Sequence, residues 1–191
     1  GEFRQMNLEE RGISIDFTDA LDGLVFDQMK SNLPNFHGIS EMHRVDFVVE
    51  FKEAIVFVEI KDPGNPKAQP EGLAKFFAEL SDGTLSGTFA SKFIDSFLYR
   101  WAEDKVNKPI HYLSLVTLET PLLLNLSDEI TRKLPPMGKP VPRWKRTLLG
   151  NCQVFNIETW NENFPKWPVT RLRAGSGGNA VLTPKTSGGE S

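Results

Sequence analysis

The sequence predicts a mixed α/β domain in which an antiparallel hairpin continues into strands that return through helices. Three observations carry this expectation. Two runs rich in β-branched and aromatic residues, 45–51 (Val-Asp-Phe-Val-Val-Glu-Phe) and 54–61 (Ala-Ile-Val-Phe-Val-Glu-Ile-Lys), are separated only by Lys52-Glu53, the mark of a hairpin. Helical spacing follows in Leu73, Phe76, Phe77 and Leu80, then in Phe93, Ile94, Phe97, Leu98 and Trp101, giving helices over 70–81 and 91–104. The run 110–118 (Ile-His-Tyr-Leu-Ser-Leu-Val-Thr-Leu) fits a buried strand.

The remaining elements follow in order. Asp16 or Thr18 can cap a helix over about 18–30, with Phe17, Leu21, Leu24 and Val25 on one face. Residues 31–44 read as loop with room for one short strand. Lys52-Glu53 is a poor primed-turn pair, so a longer even-numbered loop is an alternative to a two-residue one. Asp62-Pro63-Gly64-Asn65-Pro66 ends the second strand. A short helix fits 126–134, and the prolines of 134–142 force a loop. A last strand fits 152–157, and Trp160, Trp167 and the late Phe residues close the core. The expected organisation is an N-terminal segment (1–15), one domain (16–173) and a disordered Gly/Ser-rich tail (174–191). Gly1-Glu2-Phe3 has the look of a cloning remnant ahead of a native Met6. No internal repeat is present.

A chain of 191 residues, 39% hydrophobic and 25% charged, is expected to form one ordinary globular domain. No apolar run approaches the ~20 residues a membrane helix needs, and the first residues do not resemble a secretory signal. With a single Cys152 no internal disulfide is available, so a cytoplasmic protein is expected. The net charge of -3 argues against a protein held on nucleic acid by bulk charge alone. The charge is polarised, however: residues 1–62 hold 13 acids and 6 bases, whereas 130–157 hold six bases and no acid.

With a loop of two or four residues, facing positions in the hairpin sum to 105. Asp46 then stands opposite Glu59, and Arg44 opposite Lys61. Side chains alternate along a strand, so Val45, Phe47, Val49 and Phe51 share a wholly apolar face with Ala54, Val56, Val58 and Ile60. The other face collects Asp46, Glu59 and Lys61 at one end. Facing carboxylates about 5 Å apart repel each other, and a bound Mg²⁺ or Mn²⁺ is the simplest reason to place them there. Lys61 can reach the same point, to orient a water or to stabilise developing charge. The structural alternative is an ion pair of Lys61 with Asp46 or Glu59 at a sheet edge.

Asp46 followed by Glu59-Ile60-Lys61 on the next strand resembles the PD-(D/E)XK nuclease superfamily. The resemblance covers roughly residues 16–118. It implies a restriction-endonuclease-like αβββαβ core with a mixed sheet flanked by helices. It also implies Mg²⁺- or Mn²⁺-dependent hydrolysis of phosphodiester bonds, with Asp46 and Glu59 as ligands, Ile60 lending its carbonyl and Lys61 as catalytic lysine. Val45 stands where the name-giving proline would be. A further acid often comes from the first helix of such proteins; Asp22 is the choice here, ahead of Asp19 and Asp27. By family analogy the substrate is nucleic acid, DNA ahead of RNA, in restriction, phage defence or repair. The rival reading is a catalytically inactive binding or interaction module on the same fold. Oligomeric state stays open, a homodimer being one option, and so does membership of a larger enzyme.

Outside the hairpin, Arg143, Trp144, Lys145 and Arg146 form a basic segment suited to phosphates, with Trp144 available to stack on an unpaired base; a solvated loop is the equal alternative. Ser96, Tyr99 and Arg100 lie on a helix where related nucleases set polar residues toward the site; a plain helix edge is the favoured alternative. His37, His43 and His111 are scattered and make no zinc spacing. Gly83 and Gly87 lack the strand-loop-helix setting of a phosphate-binding motif.

Overall fold

In the computed structural model, residues 5–172 are described. The expected tail of 174–191 lies outside them. The central element is a five-stranded mixed sheet formed by β3 (Asp22–Val25), β4 (Phe47–Glu50), β5 (Ile55–Lys61), β6 (Ile110–Val116) and β7 (Asn151–Phe155), in that spatial order. The first three strands are antiparallel neighbours, and β5, β6 and β7 run parallel. Helices α1 (Pro70–Asp82) and α2 (Thr84–Ala102) connect β5 to β6, and α3 (Thr120–Lys133) connects β6 to β7. Parallel neighbours need such crossovers because a tight turn cannot reverse the chain twice.

Helices cover one face of this sheet. Leu85, Phe89 and Phe93 of α2 and Leu123, Leu126 and Ile130 of α3 pack with Val48, Ile55, Phe57, Ile110 and Tyr112. The opposite face is roofed by a small antiparallel sheet and one short helix. That sheet runs β1 (Gln5–Glu10), β2 (Ile13–Thr18), β8 (Val169–Arg171), and the helix is α4 (Ile157–Asn163). Met6, Leu8, Ile13, Ile15 and Phe17 meet Phe47, Val49, Val56, Val58 and Ile60 there, with Trp160 of α4 fully buried among them. The central strand β5 is therefore enclosed on both sides along almost its whole length, as parallel strands covered on both faces are.

The hairpin register follows the predicted sum. Phe47 faces Val58 and Glu50 faces Ile55, while the Phe51 amide donates to Ala54 at 2.8 Å. Neither Lys52 nor Glu53 has positive φ, so the turn is not of the primed kind. Val45 departs from the expected alternation. The strand begins at Phe47, and Val45 belongs to the helix-side core with Val48 rather than to the face of Phe47.

Two expectations fail at the N-terminus. The helix over 18–30 does not form: Asp19 takes a left-handed φ of 67°, and Asp22–Val25 pair with β4 as an edge strand. Gly23 sits in the middle of that strand, where a Cβ would come within 2.2 Å of Met6 Sδ, so close packing against β1 took precedence over the helical spacing. The αβββαβ core therefore lacks its leading helix among the described residues. The domain boundary expected after residue 15 also falls inside β2, whose side chains are core. The turn Arg11-Gly12, with φ of 48° and 82°, is a two-residue primed turn closing this hairpin. The helix expected at 126–134 starts earlier, at Thr120.

If the N-terminal hairpin is integral, Gly12→Ala should destabilise the protein by about 1–2 kcal/mol, the cost of a side chain in left-handed backbone. Space is not the obstacle, since nothing lies within 4 Å of the added Cβ. A denaturant midpoint equal to wild type would show that this hairpin is not part of the cooperative unit.

Candidate active site

The site is built at the carboxyl end of β5, on the face toward α2. Alternation places Phe57, Glu59 and Lys61 on that face, and the register, continued by one residue, carries Asp46 opposite Glu59. Asp46 and Glu59 are both buried, with 4% and 0% of their surface exposed. Asp46 Oδ2 accepts a hydrogen bond from the Ile60 amide at 2.6 Å, which fixes the carboxylate across the hairpin. Glu59 Oε1 receives two ammonium groups: Lys92 Nζ at 2.7 Å and Lys61 Nζ at 3.6 Å. Glu59 Oε2 is buried and has no hydrogen-bond partner. A buried carboxylate oxygen without a partner is costly and calls for a cation, a water or a proton.

The electrostatics follow from this enclosure. Burial raises the Asp46 pKa, against the pull of Lys92 and the Ile60 amide. Burial also pushes Glu59 up to about 8, reinforced by the charge of Asp46 and opposed by Lys92 and Lys61. For Lys92 burial alone would favour the neutral amine, but the charges of Glu59 and Asp46 prevail and its pKa rises. The arrangement is two desolvated carboxylates sharing two lysines. Lys92 is nearly enclosed, whereas Lys61 is 25% exposed at the rim.

Lys92 is not legible in the strand pattern, since it comes from α2, 33 residues beyond Glu59. Its signal is a lysine one helical turn before Ser96, on the side of α2 that turns to the sheet. Ser96 itself is buried and accepts the Val45 amide at 3.0 Å, which anchors the start of the hairpin to α2. Tyr99 donates to the His37 carbonyl, and Arg100 pairs with Glu103; neither reaches the carboxylates in these contacts. Glu10, at the end of β1, is a second residue that sequence reasoning misses. Burial and the charges of Asp46 and Asp27 raise its pKa, so it shares the electrostatic environment of the site.

Other expected residues stand elsewhere. Asp22 faces Glu50 across the edge of the sheet, while it is Phe26 whose amide bonds the Asp46 carbonyl. Asp22 therefore lies four positions along β3 from the site, with its Oδ1 on the neighbouring Gly23 amide. Its assignment as the additional acid is corrected: the helix meant to deliver it is a strand. Asp19 lies beyond β2, before β3. Asp27 instead binds Arg44, which turns away from Lys61 toward Asp27 and the Ile39 and Met42 carbonyls. Ile60 contributes its amide to Asp46, and its side chain packs into the opposite core. The histidines remain apart, His43 on Asp95 and His111 at the start of β6.

The basic segment is surface loop: Arg143, Lys145 and Arg146 are exposed and Trp144 is half-buried. Its base is tied to the other end of the sheet. Met137 bridges to Leu149, and the Gly150 amide donates to the Ile110 carbonyl. Ile110 is in register with Ile55, four residues or about 13 Å along β5 from Glu59. The structure does not bring this loop and the carboxylates together.

Among the described residues no group of three or more His, Cys, Asp and Glu side chains is placed to hold a metal ion, and no helix is long and apolar enough to cross a membrane. Comparison with models of known families, with curated proteins and with solved structures finds no match for the chain.

The raised Glu59 pKa fixes the sign of a pH effect. Between its ordinary value of 4.5 and about 8, the folded state keeps a proton that the unfolded state has lost. Stability should thus be complete below that window and fall as pH rises through it. Asp46 acts in the same direction. Metal-free protein should melt several degrees lower at about pH 8 than at about pH 5.5, and Glu59→Gln should flatten the difference. A wild-type melting temperature that rises over this range would overturn the assignment.

Proposed function

We propose that the protein is a divalent-cation-dependent nuclease of the PD-(D/E)XK kind, hydrolysing phosphodiester bonds of nucleic acid, DNA ahead of RNA. The observation that carries this reading is the unpartnered, buried Oε2 of Glu59 beside the carboxylate of Asp46. The donor set fits Mg²⁺ or Mn²⁺: two carboxylates with the Ile60 carbonyl would hold one ion, water and phosphate oxygens completing a shell that Mg²⁺ seldom takes wholly from protein. The ion would supply Lewis-acid charge stabilisation and a more acidic water.

The side chains have distinct parts in this reading. Asp46 is held by the Ile60 amide, which would keep one carboxylate in position for the ion. Lys61 stands at the rim, where an arriving phosphate meets it before the buried groups. Its ammonium would balance the charge that grows on the phosphoryl oxygens as water attacks phosphorus and the P–O bond to the leaving oxygen breaks. Lys92 holds Glu59 in place and keeps positive charge beneath the substrate.

A second reading has its own support. The 2.7 Å contact of Lys92 with a fully enclosed Glu59 is also what an internal structural ion pair looks like, as expected of an inactive binding module.

Incubation with plasmid, single-stranded DNA and RNA, in Mg²⁺, Mn²⁺ or EDTA, separates the two. The nuclease reading expects cleavage only with a cation, and a loss of about 100-fold or more in Lys61→Ala. That variant should still gain thermal stability from Mg²⁺, because its ligands remain and a ligand bound only to the native state stabilises it. No cleavage by wild type, with equal melting temperatures in EDTA and Mg²⁺, would leave only the structural ion pair.

The exposed basic loop supports a nucleic-acid partner through its charge. Replacing Arg143, Lys145 and Arg146 by Ala should weaken DNA binding and reduce the salt slope by about 0.9 for each phosphate no longer neutralised. Unchanged affinity and slope would make the segment a solvated loop.

A further inference from the structure

A concavity lies on the face of the sheet opposite the carboxylates, at the amino ends of the parallel strands. Its volume is about 460 Å³, within the ~300–1,000 Å³ range of small-ligand sites. Val56 and Leu113 form an apolar floor. The space exists because the roof over this face is short: α4 spans seven residues, and its Trp160 packs in the core with Ile60 and Phe155, which lie toward the carboxyl ends of their strands.

One wall is aromatic and rigid. Phe51 stacks on Trp167 with ring centroids 4.7 Å apart, and Phe164 stacks on Trp167 at 5.1 Å. The Trp167 indole is pinned by its N–H to the Thr18 carbonyl at 3.2 Å. The rim beside the floor is made of side-chain amides, Asn151 and Gln153, alternate residues of the edge strand β7 and so on one face. His111 is in register with Asn151; burial lowers its pKa, so near neutrality its ring is uncharged and both donates and accepts.

We propose that this pocket binds the adenine base of a nucleotide, its ring against the Phe51–Trp167–Phe164 wall and its hydrogen-bonding edge on Asn151 and Gln153. A rigid aromatic wall selects a flat ring over an aliphatic chain. An amide presents one acceptor and one donor in a plane, the complement of the N6 and N7 edge of adenine. Charge sets the orientation. Asp19 and Glu53 occupy the rim around the hairpin turn with Lys52, which disfavours a phosphate there. On the β7 side the chain ahead of the amides is acid-free and basic: Arg146 precedes Asn151 by five residues, a reach of at most about 18 Å. The phosphate then lies toward that loop.

The pocket and the carboxylate site are on opposite faces of β5, so this inference stands independently of whether Asp46 and Glu59 support cleavage. The test titrates the full chain, in EDTA, with AMP, CMP, inorganic phosphate and a short oligo(dA), read by calorimetry and tryptophan fluorescence. AMP should bind several-fold more tightly than CMP and at least about tenfold more tightly than phosphate, with a change in indole emission. Asn151→Ala and Gln153→Ala together should weaken AMP at least about tenfold with the melting temperature kept. Oligo(dA) binding far tighter than AMP would identify an unpaired nucleotide in a strand as the occupant, and equal affinity a free mononucleotide. Phosphate binding as well as AMP, a double variant that binds like wild type, or no AMP binding at millimolar concentration would each overturn the proposal.

Discussion

The arrangement of this protein turns on one side chain, the carboxylate of Glu59, fully enclosed in the middle of the central sheet. Placing an ionisable group there is unfavourable unless its charge is matched. The surrounding structure supplies that match from two directions, Lys92 from the covering helix and Lys61 from the same strand, while the Asp46 carboxylate, held by the Ile60 amide, works against it. The positive groups converge on a single oxygen and leave the other unpaired. A purely structural ion pair gains most when every polar atom is satisfied. One satisfied oxygen and one orphan leaves a position that a cation, a water or a proton can fill.

The enclosure is a consequence of the layering. Helices α2 and α3 pack on one face of the sheet and the β1-β2-β8 sheet on the other, so β5 has no solvent-facing side along most of its length. Only at its carboxyl end, where Lys61 emerges before the Asp62-Pro63-Gly64 turn, does the strand meet the surface. Asp62 is itself held there by Arg171, with contacts of 2.5 and 2.6 Å, and by Thr117 at 2.7 Å. The strand end that carries the site is thereby tied to both the small sheet and the end of β6. Movement of the rim would break these ties first.

How far the sequence discloses this depends on the range of the forces involved. The hairpin is legible because period-two alternation and the 105 sum are local, and they place Asp46 against Glu59 correctly. The two helices between β5 and β6 are legible for the same reason, through Leu73, Phe76, Phe93 and Phe97. The stretch over 18–30 is not. Leu21, Leu24 and Val25 keep helical spacing, but pairing with β4 and the fit of Gly23 under Met6 are long-range and outweigh the weak local preference. The N-terminal hairpin escapes notice although Met6 and Leu8 alternate toward Arg11-Gly12, and Ile13, Ile15 and Phe17 alternate away from it. Lys92 cannot be read from strand spacing at all, because a partner from another element is fixed only by tertiary packing.

The parallel strands give the molecule two chemically different ends. Open α/β sheets usually bind ligands at the carboxyl ends of their strands, and Glu59, Lys61 and the raised pKa values stand there. The amino ends carry the complementary features: the aromatic-walled pocket, the amide rim of β7 and the base of the cationic loop. In an ordinary doubly covered sheet the helices close that end. Here the roof over one face is a short helix and a three-residue strand, β8, and the floor of Val56 and Leu113 opens onto a recess instead of an unbroken core. The proline-rich chain before β7 carries the basic residues and is tied to the sheet at that same end. The recess and the paired carboxylates also lie on opposite faces of β5, so the sheet itself, as well as about 10 Å of strand, separates anything bound at one from anything bound at the other.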